Sequence, residues 1–277
     1  MRKSNRKRVI DMHKMIRGIV TILALGLFIL SGYKLFGIVS TYRSESQANE
    51  QLAEQFVQTV PPHTEPVKTT EPSSDETTAT EPTAYNEYAP IRVDFAALLE
   101  KNPHVIGWVY APDTPISYPV VQTENNSDYL RAGLDGSYAH GGTVFLDYRC
   151  AGDLSGLNSI IYGHNLLDQT MFGTLERYKK QSYYDSHPTL YLLTPEGDYR
   201  VDLIAGLNVD ANSVLYRIDH TEETYREFLR EVLRQSDFQT TYPTAEISRT
   251  LTLSTCAYEH DDARYIVVGV LTPLDTP

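Results

Sequence analysis

An apolar run near the start of the chain predicts a membrane-spanning helix. Between residues 18 and 39 the only charged side chain is Lys34, close to the far end. About 20 apolar residues cross the hydrocarbon core of a bilayer, and a lysine at the end of such a run can extend its amine to the interface. Residues 18–39 are therefore predicted to be a single-pass transmembrane anchor. A cleaved signal peptide is the alternative, although the run is long for one.

Basic side chains before this run predict its orientation. Residues 1–17 contain seven Lys and Arg against one Asp. Positively charged flanks stay on the cytoplasmic side of a membrane. We therefore expect a cytoplasmic tail over residues 1–17, a protein located in the cell membrane, and a remainder that lies outside the cell.

A polar segment, residues 40–90, separates the apolar run from the rest of the chain. Its first part, residues 40–58, has weak helical periodicity. The remainder is rich in Thr, Pro and Glu and repeats the triplet T-E-P at 64–66, 70–72 and 80–82. Such a composition cannot bury a hydrophobic core. We predict a disordered extracellular spacer over residues 40–90.

Short apolar and β-branched runs dominate residues 91–277, which are predicted to form one globular domain. Turn signals separate the runs, the clearest being Pro195-Glu196-Gly197-Asp198. Eight such strands in one domain predict a mainly β fold, an eight-stranded barrel that is closed or nearly closed. The predicted strands cover residues 105–110, 116–122, 143–147, 158–164, 189–194, 199–208, 248–255 and 264–272.

Helical patterns interrupt the strands in three places. Asp94 is a plausible N-cap for a short helix that ends before Asn102-Pro103. A second short helix is predicted near 170–180. Residues 219–235 carry an apolar face at helical spacing, and Asp219 with Glu222 resembles a capping box.

Composition excludes several function classes. The chain has 24 Lys and Arg against 36 Asp and Glu, which argues against nucleic-acid binding. No phosphate-binding or dinucleotide-binding fingerprint is present, and the polar loop His260-Asp261-Asp262 lacks the spacing of known metal motifs. We predict no cofactor and no metal. The two cysteines can form one bridge, but we expect a fold stabilised by its core, with a thiol kept for chemistry.

Three residues at the ends of predicted strands can carry acyl transfer together. Cys256 ends one strand, His164 ends another, and Arg264 begins the last. A thiolate is the reactive nucleophile, and a histidine can stabilise it and later protonate a leaving amine. An arginine offers fixed donors to the tetrahedral oxyanion. Taken singly, each residue has an ordinary structural explanation, namely a packed cysteine, a loop histidine and a surface arginine.

These residues lie within motifs that resemble the sortases, the cell-wall transpeptidases of Gram-positive bacteria. The stretch TLSTC at 252–256 is followed eight residues later by Arg264, and YGHN lies upstream at 162–165. The helix before the barrel, a long insertion at about 209–247 and the stretch TMFGTLERY at 170–178 resemble class B members. The resemblance implies an eight-stranded β-barrel with an N-terminal helix and a helix-containing insertion between the sixth and seventh strands.

The resemblance also implies roles and partners. Cys256 matches the nucleophile, His164 the general acid and Arg264 the oxyanion donor. The implied substrates are surface proteins with a C-terminal sorting signal of NPxTN, NPxTG or LPxTG type, and the implied acceptor is a peptidoglycan cross-bridge amine. Cys150 matches nothing in this mechanism and is interpreted as structural. The implied substrate contacts are Asn126, Leu130, Tyr162, Leu215, Tyr216, Ser254 and Thr255.

Three other functions stay open at this point. A pilus-polymerising sortase would use a pilin lysine as the acceptor amine. A hydrolytic cysteine peptidase would resolve the same thioester with water. A non-catalytic wall-binding module on a membrane stalk would make the three candidate residues coincidental.

Overall fold

The computed structural model describes residues 2–60, 88–166, 168–256 and 262–275. The chain divides into two compact units, Met1–Gln47 and Ala48–Pro277. The first unit consists of helix, and the second contains the strands.

Helix α1 spans Arg2–Phe56 and includes the predicted anchor. Its segment Arg17–Phe56 contains an 18-residue window with a mean hydropathy of 2.0, and none of that window is buried. At about 1.5 Å per residue, the predicted anchor is long enough for a hydrocarbon core of about 30 Å. By length and composition this helix is a candidate membrane span.

Eight strands of the second unit form a closed barrel. They are β3 Val105–Tyr110, β4 Ser117–Val121, β5 Val144–Leu146, β6 Asn158–Tyr162, β7 Thr189–Thr194, β8 Gly197–Asp210, β9 Thr250–Cys256 and β10 Ala263–Pro273. Their order around the barrel is β10-β8-β7-β3-β4-β5-β6-β9, in which the pairs β4/β5 and β6/β9 are parallel and the others are antiparallel. This confirms the predicted mainly β, eight-stranded barrel.

Strand ends differ from the sequence prediction where pairing decides them. Strand β6 ends at Tyr162 rather than at residue 164, because its residue pairing with β5 and β9 ends at Tyr162. Strand β8 is longer than predicted, since it pairs with β7 along one side and with β10 along the other. The alternation of apolar and polar residues in the sequence does not show over how many residues two neighbouring strands stay paired.

The helices of the second unit agree with the predictions in place and differ in their ends. Helix α2 spans Phe95–Lys101, and the Asp94 carboxylate accepts a hydrogen bond from the Ala97 N–H at 3.1 Å. A 3-10 helix at Gly173–Lys179, followed by helix α3 at Gln181–Ser186, takes the place of the helix predicted near 170–180.

Helix α4 spans Glu222–Gln235 and lies in the insertion between the sixth and seventh barrel strands, as predicted. Its capping box is formed by Thr221 and Thr224, not by Asp219 and Glu222 as predicted. The N-cap lies two residues later than the acidic pair implied, and Thr221 is then the residue whose hydroxyl reaches the N3 amide. Tyr225, Phe228 and Val232 pack against residues of β8 and β10.

The folded unit begins earlier than the predicted boundary at residue 91. Strand β1 (Val57–Thr59) pairs with strand β2 (Ile91–Val93) in a small antiparallel sheet. Phe56 is only 3% exposed and belongs to the same core cluster as Ile91, Leu98 and Trp108. Residues 48–60 and 88–90 of the expected spacer are therefore structured, because a few apolar side chains within this polar segment find a core to enter. The T-E-P repeats lie outside the described residues.

We predict that Phe56→Ala destabilises the folded unit by about 3 kcal/mol, because removing a buried phenylalanine leaves a cavity. The measurement is denaturant unfolding of the full-length chain in detergent micelles. Trp108, the single tryptophan, is fully buried in the same cluster and gives the fluorescence signal. Gln55→Ala is the matched control on the exposed side of the helix and is expected to change little. Equal midpoints for the two variants would show that this segment is not part of the core.

Candidate active site

Strand pairing brings the three candidate catalytic positions to one edge of the barrel. Strand β9 runs parallel to β6, with Ser254 opposite Tyr162, and antiparallel to β10, with Cys256 opposite Arg264. Directly paired residues have Cα atoms about 5 Å apart. The end of β9, the beginning of β10 and the end of β6 therefore meet at the same place. Residues 257–261 of the loop that connects β9 to β10 lie outside the described residues. They include His260 and Asp261, two residues of the polar loop that was considered above as a metal site.

His164 follows β6 by two residues and is positioned by its neighbours. The Gly163 N–H donates to the Ser254 carbonyl at 3.1 Å, which extends the ladder beyond the strand. A Cβ at Gly163 would lie 2.7 Å from the Phe172 ring, so only glycine fits. The Phe172 N–H donates to the His164 carbonyl at 2.9 Å, and the imidazole Nε2 lies 2.8 Å from the Leu130 carbonyl oxygen. Since a carbonyl only accepts, Nε2 carries the proton of this hydrogen bond.

A cleft of about 980 Å³ opens at this edge, and both His164 and Arg264 line it. The Arg264 guanidinium donates through Nη1 to the Ala263 carbonyl at 2.9 Å. Six of the seven predicted substrate contacts also line the cleft: Asn126, Leu130, Tyr162, Tyr216, Ser254 and Thr255. Residues from distant parts of the sequence thus share one concave surface, the usual form of a ligand site.

Leu215 is the predicted contact that the structure places elsewhere. Its side chain is 5% exposed and packs in the cluster of β8, β10 and α4. It lies in the middle of a 3-10 turn, Val214–Tyr216, which is capped by the Ser213 hydroxyl. The turn directs its two outer residues into the cleft and its central residue into the core. Val214, which is 79% exposed, lines the cleft and was missed from the sequence.

Aromatic rings form one wall of the cleft. The Tyr162 ring lies between Phe145, with centroids 5.3 Å apart, and Tyr216, with centroids 6.2 Å apart. The Tyr216 hydroxyl is 2.8 Å from the Ser254 hydroxyl. The contact between Tyr216 and Ser254 joins the insertion to β9. The wall combines apolar aromatic rings with the polar hydroxyl groups of the two tyrosines.

Thr255 places a buried polar group beside the end of β9. Thr255 is only 2% exposed, and it lines the cleft. Within the part of the chain that the structure describes, its hydroxyl has no hydrogen-bond partner. A buried hydroxyl costs free energy unless a partner reaches it, so this position is suited to a bound polar group.

An ion pair beside this wall was also missed from the sequence. Asp147, just after β5, is fully buried and accepts hydrogen bonds from Arg149 Nε at 2.9 Å and Nη2 at 2.8 Å. The Tyr162 hydroxyl donates to the same carboxylate at 2.9 Å. Burial by itself would raise the pKa of Asp147, but the hydrogen bonds from Arg149 and Tyr162 outweigh it, so the pKa lies below its ordinary value. The only sequence signal was an Asp and an Arg two residues apart at a strand exit.

The Tyr162 hydroxyl remains protonated over the ordinary pH range. Burial raises the pKa of Tyr162 strongly, and the nearby Asp147 carboxylate raises it further. The tyrosine therefore acts as a donor to Asp147 and not as a base.

Comparisons with known proteins agree with this geometry. The Sortase domain family model matches residues 109–272. Sortase B of Staphylococcus aureus (strain NCTC 8325 / PS 47) is 31% identical over 259 residues, which cover 91% of this chain and 94% of that protein. Sortase B of Listeria monocytogenes serovar 1/2a is 30% identical over 184 residues, 65% of this chain and 75% of that protein.

A solved structure described as the Staphylococcus aureus sortase B-substrate complex is 30% identical and superposes with a TM-score of 0.61, covering 65% of this chain and 85% of that chain. The family match spans more than half of the chain, and the alignment to the staphylococcal protein spans nearly all of it. With the closed barrel and the helix-bearing insertion, these matches place the chain in the sortase family of cysteine transpeptidases, within class B.

Proposed function

We propose that this chain is a membrane-anchored sortase that cleaves a C-terminal sorting motif after threonine and transfers the acyl group to an amine of the cell wall. The observation that carries the proposal is the register of β9, which sets Cys256 opposite Arg264 and beside the end of β6, where His164 lies. His164 and Arg264 line a cleft at this edge of the barrel, and this arrangement supports acyl transfer through a thioester on Cys256.

Each of the three residues has a distinct step. The Cys256 thiolate attacks the threonine carbonyl carbon, and Arg264 stabilises the resulting oxyanion. His164 then gives a proton to the leaving amine as the C–N bond breaks, which leaves a thioester on Cys256. An incoming amine attacks the thioester, its proton passes to His164, and the thiolate is released. Atoms and charges balance without any cofactor.

The cleft supports a peptide as the donor substrate. Its volume of about 980 Å³ and its mixed aromatic and polar lining suit a segment of several residues. We assign substrate contacts to Asn126, Leu130, Tyr162, Tyr216, Ser254 and Thr255. The staphylococcal relative solved with a substrate supports this assignment, since its fold matches over most of its length.

The N-terminal helix supports membrane anchoring. The apolar part of α1 follows seven basic residues, which favours a cytoplasmic tail over residues 1–17, a single span over 18–39 and a catalytic domain outside the cell. In that arrangement the domain faces the cell wall, where both sorting signals and acceptor amines are found.

The donor motif and the acceptor are tested together. The full-length chain in detergent micelles is given peptides with NPxTN, NPxTG and LPxTG motifs, with a glycine-type amine, with a lysine-containing pilin-like peptide, or with no amine. We expect an acyl–amine product whose mass reports cleavage after threonine. A product only with the lysine peptide would indicate a pilus-polymerising enzyme, and only free acid in every mixture would contradict transpeptidation.

Substitutions at the catalytic positions test the division of roles. We predict that Cys256→Ala and His164→Ala abolish turnover. Arg264→Ala should lower kcat about 10²–10³-fold, the usual effect of removing one oxyanion donor. Arg264→Lys should not recover the loss, because a point charge does not replace a fork of donors. The matched control is Arg249→Ala, just before the opposite end of β9, with expected activity within about twofold of the parent. A Cys256→Ala enzyme that still cleaved would contradict the mechanism.

The second thiol provides an internal test of which cysteine reacts. Cys150 is 7% exposed, its sulfur accepts a hydrogen bond from the Ile160 N–H at 3.4 Å, and burial raises its pKa to about 11. A raised thiol pKa means that the thiolate is scarce below that pH, so at pH 8 only about one molecule in a thousand carries it.

We predict that in the Cys256→Ala variant Cys150 resists alkylation by iodoacetamide at pH 8 until denaturant is added, as followed by intact mass. In the otherwise unchanged chain, Cys150→Ala should keep activity within about twofold. Rapid alkylation of native Cys150, or loss of turnover in Cys150→Ala, would count against this assignment.

A further inference from the structure

The Asp147 carboxylate is fully used by the protein itself. Its Oδ1 accepts from the Arg149 backbone N–H at 3.0 Å and from Arg149 Nε at 2.9 Å. Its Oδ2 accepts from Arg149 Nη2 at 2.8 Å and from the Tyr162 hydroxyl at 2.9 Å. A carboxylate offers about four acceptor sites, and all four are occupied. Asp147 therefore has no capacity left for a substrate, and its contribution lies in the groups that it holds.

Both groups that Asp147 holds line the cleft. Tyr162 belongs to the aromatic wall, and Arg149 lies on the cleft surface with its side chain 46% exposed. Arg149 meets the carboxylate side-on, through Nε and Nη2. In the described residues no hydrogen bond is formed by its third nitrogen, Nη1. Because Arg149 lines the cleft, this nitrogen belongs to a charged group that is fixed on the cleft surface.

The cluster stabilises the fold, since its hydrogen bonds hold the pKa of Asp147 below the ordinary value. It also fixes the guanidinium of Arg149, whose side chain is half exposed at the cleft. A fixed guanidinium at a binding surface is pre-organised to meet an oxygen of a ligand, since the cost of holding it still is met before binding. Carboxylate, guanidinium and phenol thus form one preassembled unit.

We propose that Arg149 binds an oxygen of the donor peptide through Nη1, and that Asp147 is a positioning residue which holds Arg149 and Tyr162 on the cleft wall. The inference rests on the proposed function, in which this cleft takes the donor peptide. The bound oxygen is a main-chain carbonyl or a side-chain carboxylate at the variable position of the motif, which share the same acceptor chemistry.

The test is a double-substitution cycle in the full-length chain in detergent micelles. Donor peptide is titrated against the parent, Arg149→Gln, Asp147→Asn and the double variant. Each single substitution should raise the donor KM about tenfold, the scale of one hydrogen bond to a charged group. We expect kcat within about twofold and an unchanged acceptor KM. The double variant should be no worse than the more severe single one, because the two residues act as a unit.

The chain supplies a matched control for the loss of a buried ion pair. Asp202 on β8 is 7% exposed, and its Oδ2 accepts from Arg200 Nε at 2.8 Å. Its Oδ1 accepts from the Thr189 hydroxyl at 3.1 Å. Neither Asp202 nor Arg200 lines the cleft. Asp202→Asn should lower the melting temperature much as Asp147→Asn does, while its donor KM stays that of the parent. A purely structural role for Asp147 would make the two variants alike in KM.

A comparison of two donor peptides identifies which oxygen Arg149 binds. Peptides that differ only by Ala or Glu at the variable position are compared in the parent and in Arg149→Gln, because Ala has no side-chain acceptor. An equal rise in KM for both peptides identifies a main-chain carbonyl. A larger rise for the Glu peptide identifies a side-chain carboxylate. Both results support the proposal, and a parent-like KM for both peptides in Arg149→Gln overturns it.

The remaining outcomes separate this inference from the proposed function. If the parent turns over no sorting peptide, the proposed function fails, and the inference fails with it. If the parent is active and Arg149→Gln raises KM while Asp147→Asn does not, the positioning role is overturned. If Asp147→Asn does not fold, the double variant, which buries neither charge, takes its place and should match Arg149→Gln in KM. A double variant with a parent-like KM would likewise overturn the proposal.

Discussion

The pairing of β9 with β6 on one side and β10 on the other is the constraint on which the candidate active site depends. Because β9 is parallel to β6 and antiparallel to β10, the ends of β6 and β9 and the beginning of β10 face the same edge. Slipping either pairing by one residue would move every side chain of β9 to the opposite face. Buried neighbours such as Leu253, Ile266 and Val268 make such a slip costly. The core of the barrel therefore fixes the geometry of the site.

Around this rigid edge, the cleft is completed by elements that the barrel does not contain. The loop after β6 carries His164, and the insertion brings Tyr216 against Ser254. In the 3-10 turn before α4, Leu215 is buried in the core and Val214 is exposed in the cleft. Because the surrounding segments are separate from the barrel, they can change in sequence without disturbing the strands that carry the candidate catalytic residues.

Two features extend the fold beyond a minimal barrel. Residues 48–60 enter the core through Phe56 and the β1/β2 pairing, so the folded unit includes the end of the helix that also contains the predicted anchor. Asp147, with all its acceptor sites filled, converts an exposed arginine and a tyrosine into a fixed wall. In both cases a small number of contacts joins a surface segment to the folded unit.

The sequence by itself determined the eight strands of the barrel, the insertion with its amphipathic helix, and the motifs that carry the candidate catalytic residues. Period-two and period-3.6 patterns record which face of each element is buried, and the motifs TLSTC and YGHN are local in the chain. Only the tertiary structure decided the capping residues of α4, the entry of Phe56 into the core, the burial of Leu215 and the Asp147–Arg149–Tyr162 cluster. Each of these depends on contacts between residues far apart in the chain, or on a turn of the backbone, and neither leaves a periodic signal in the sequence.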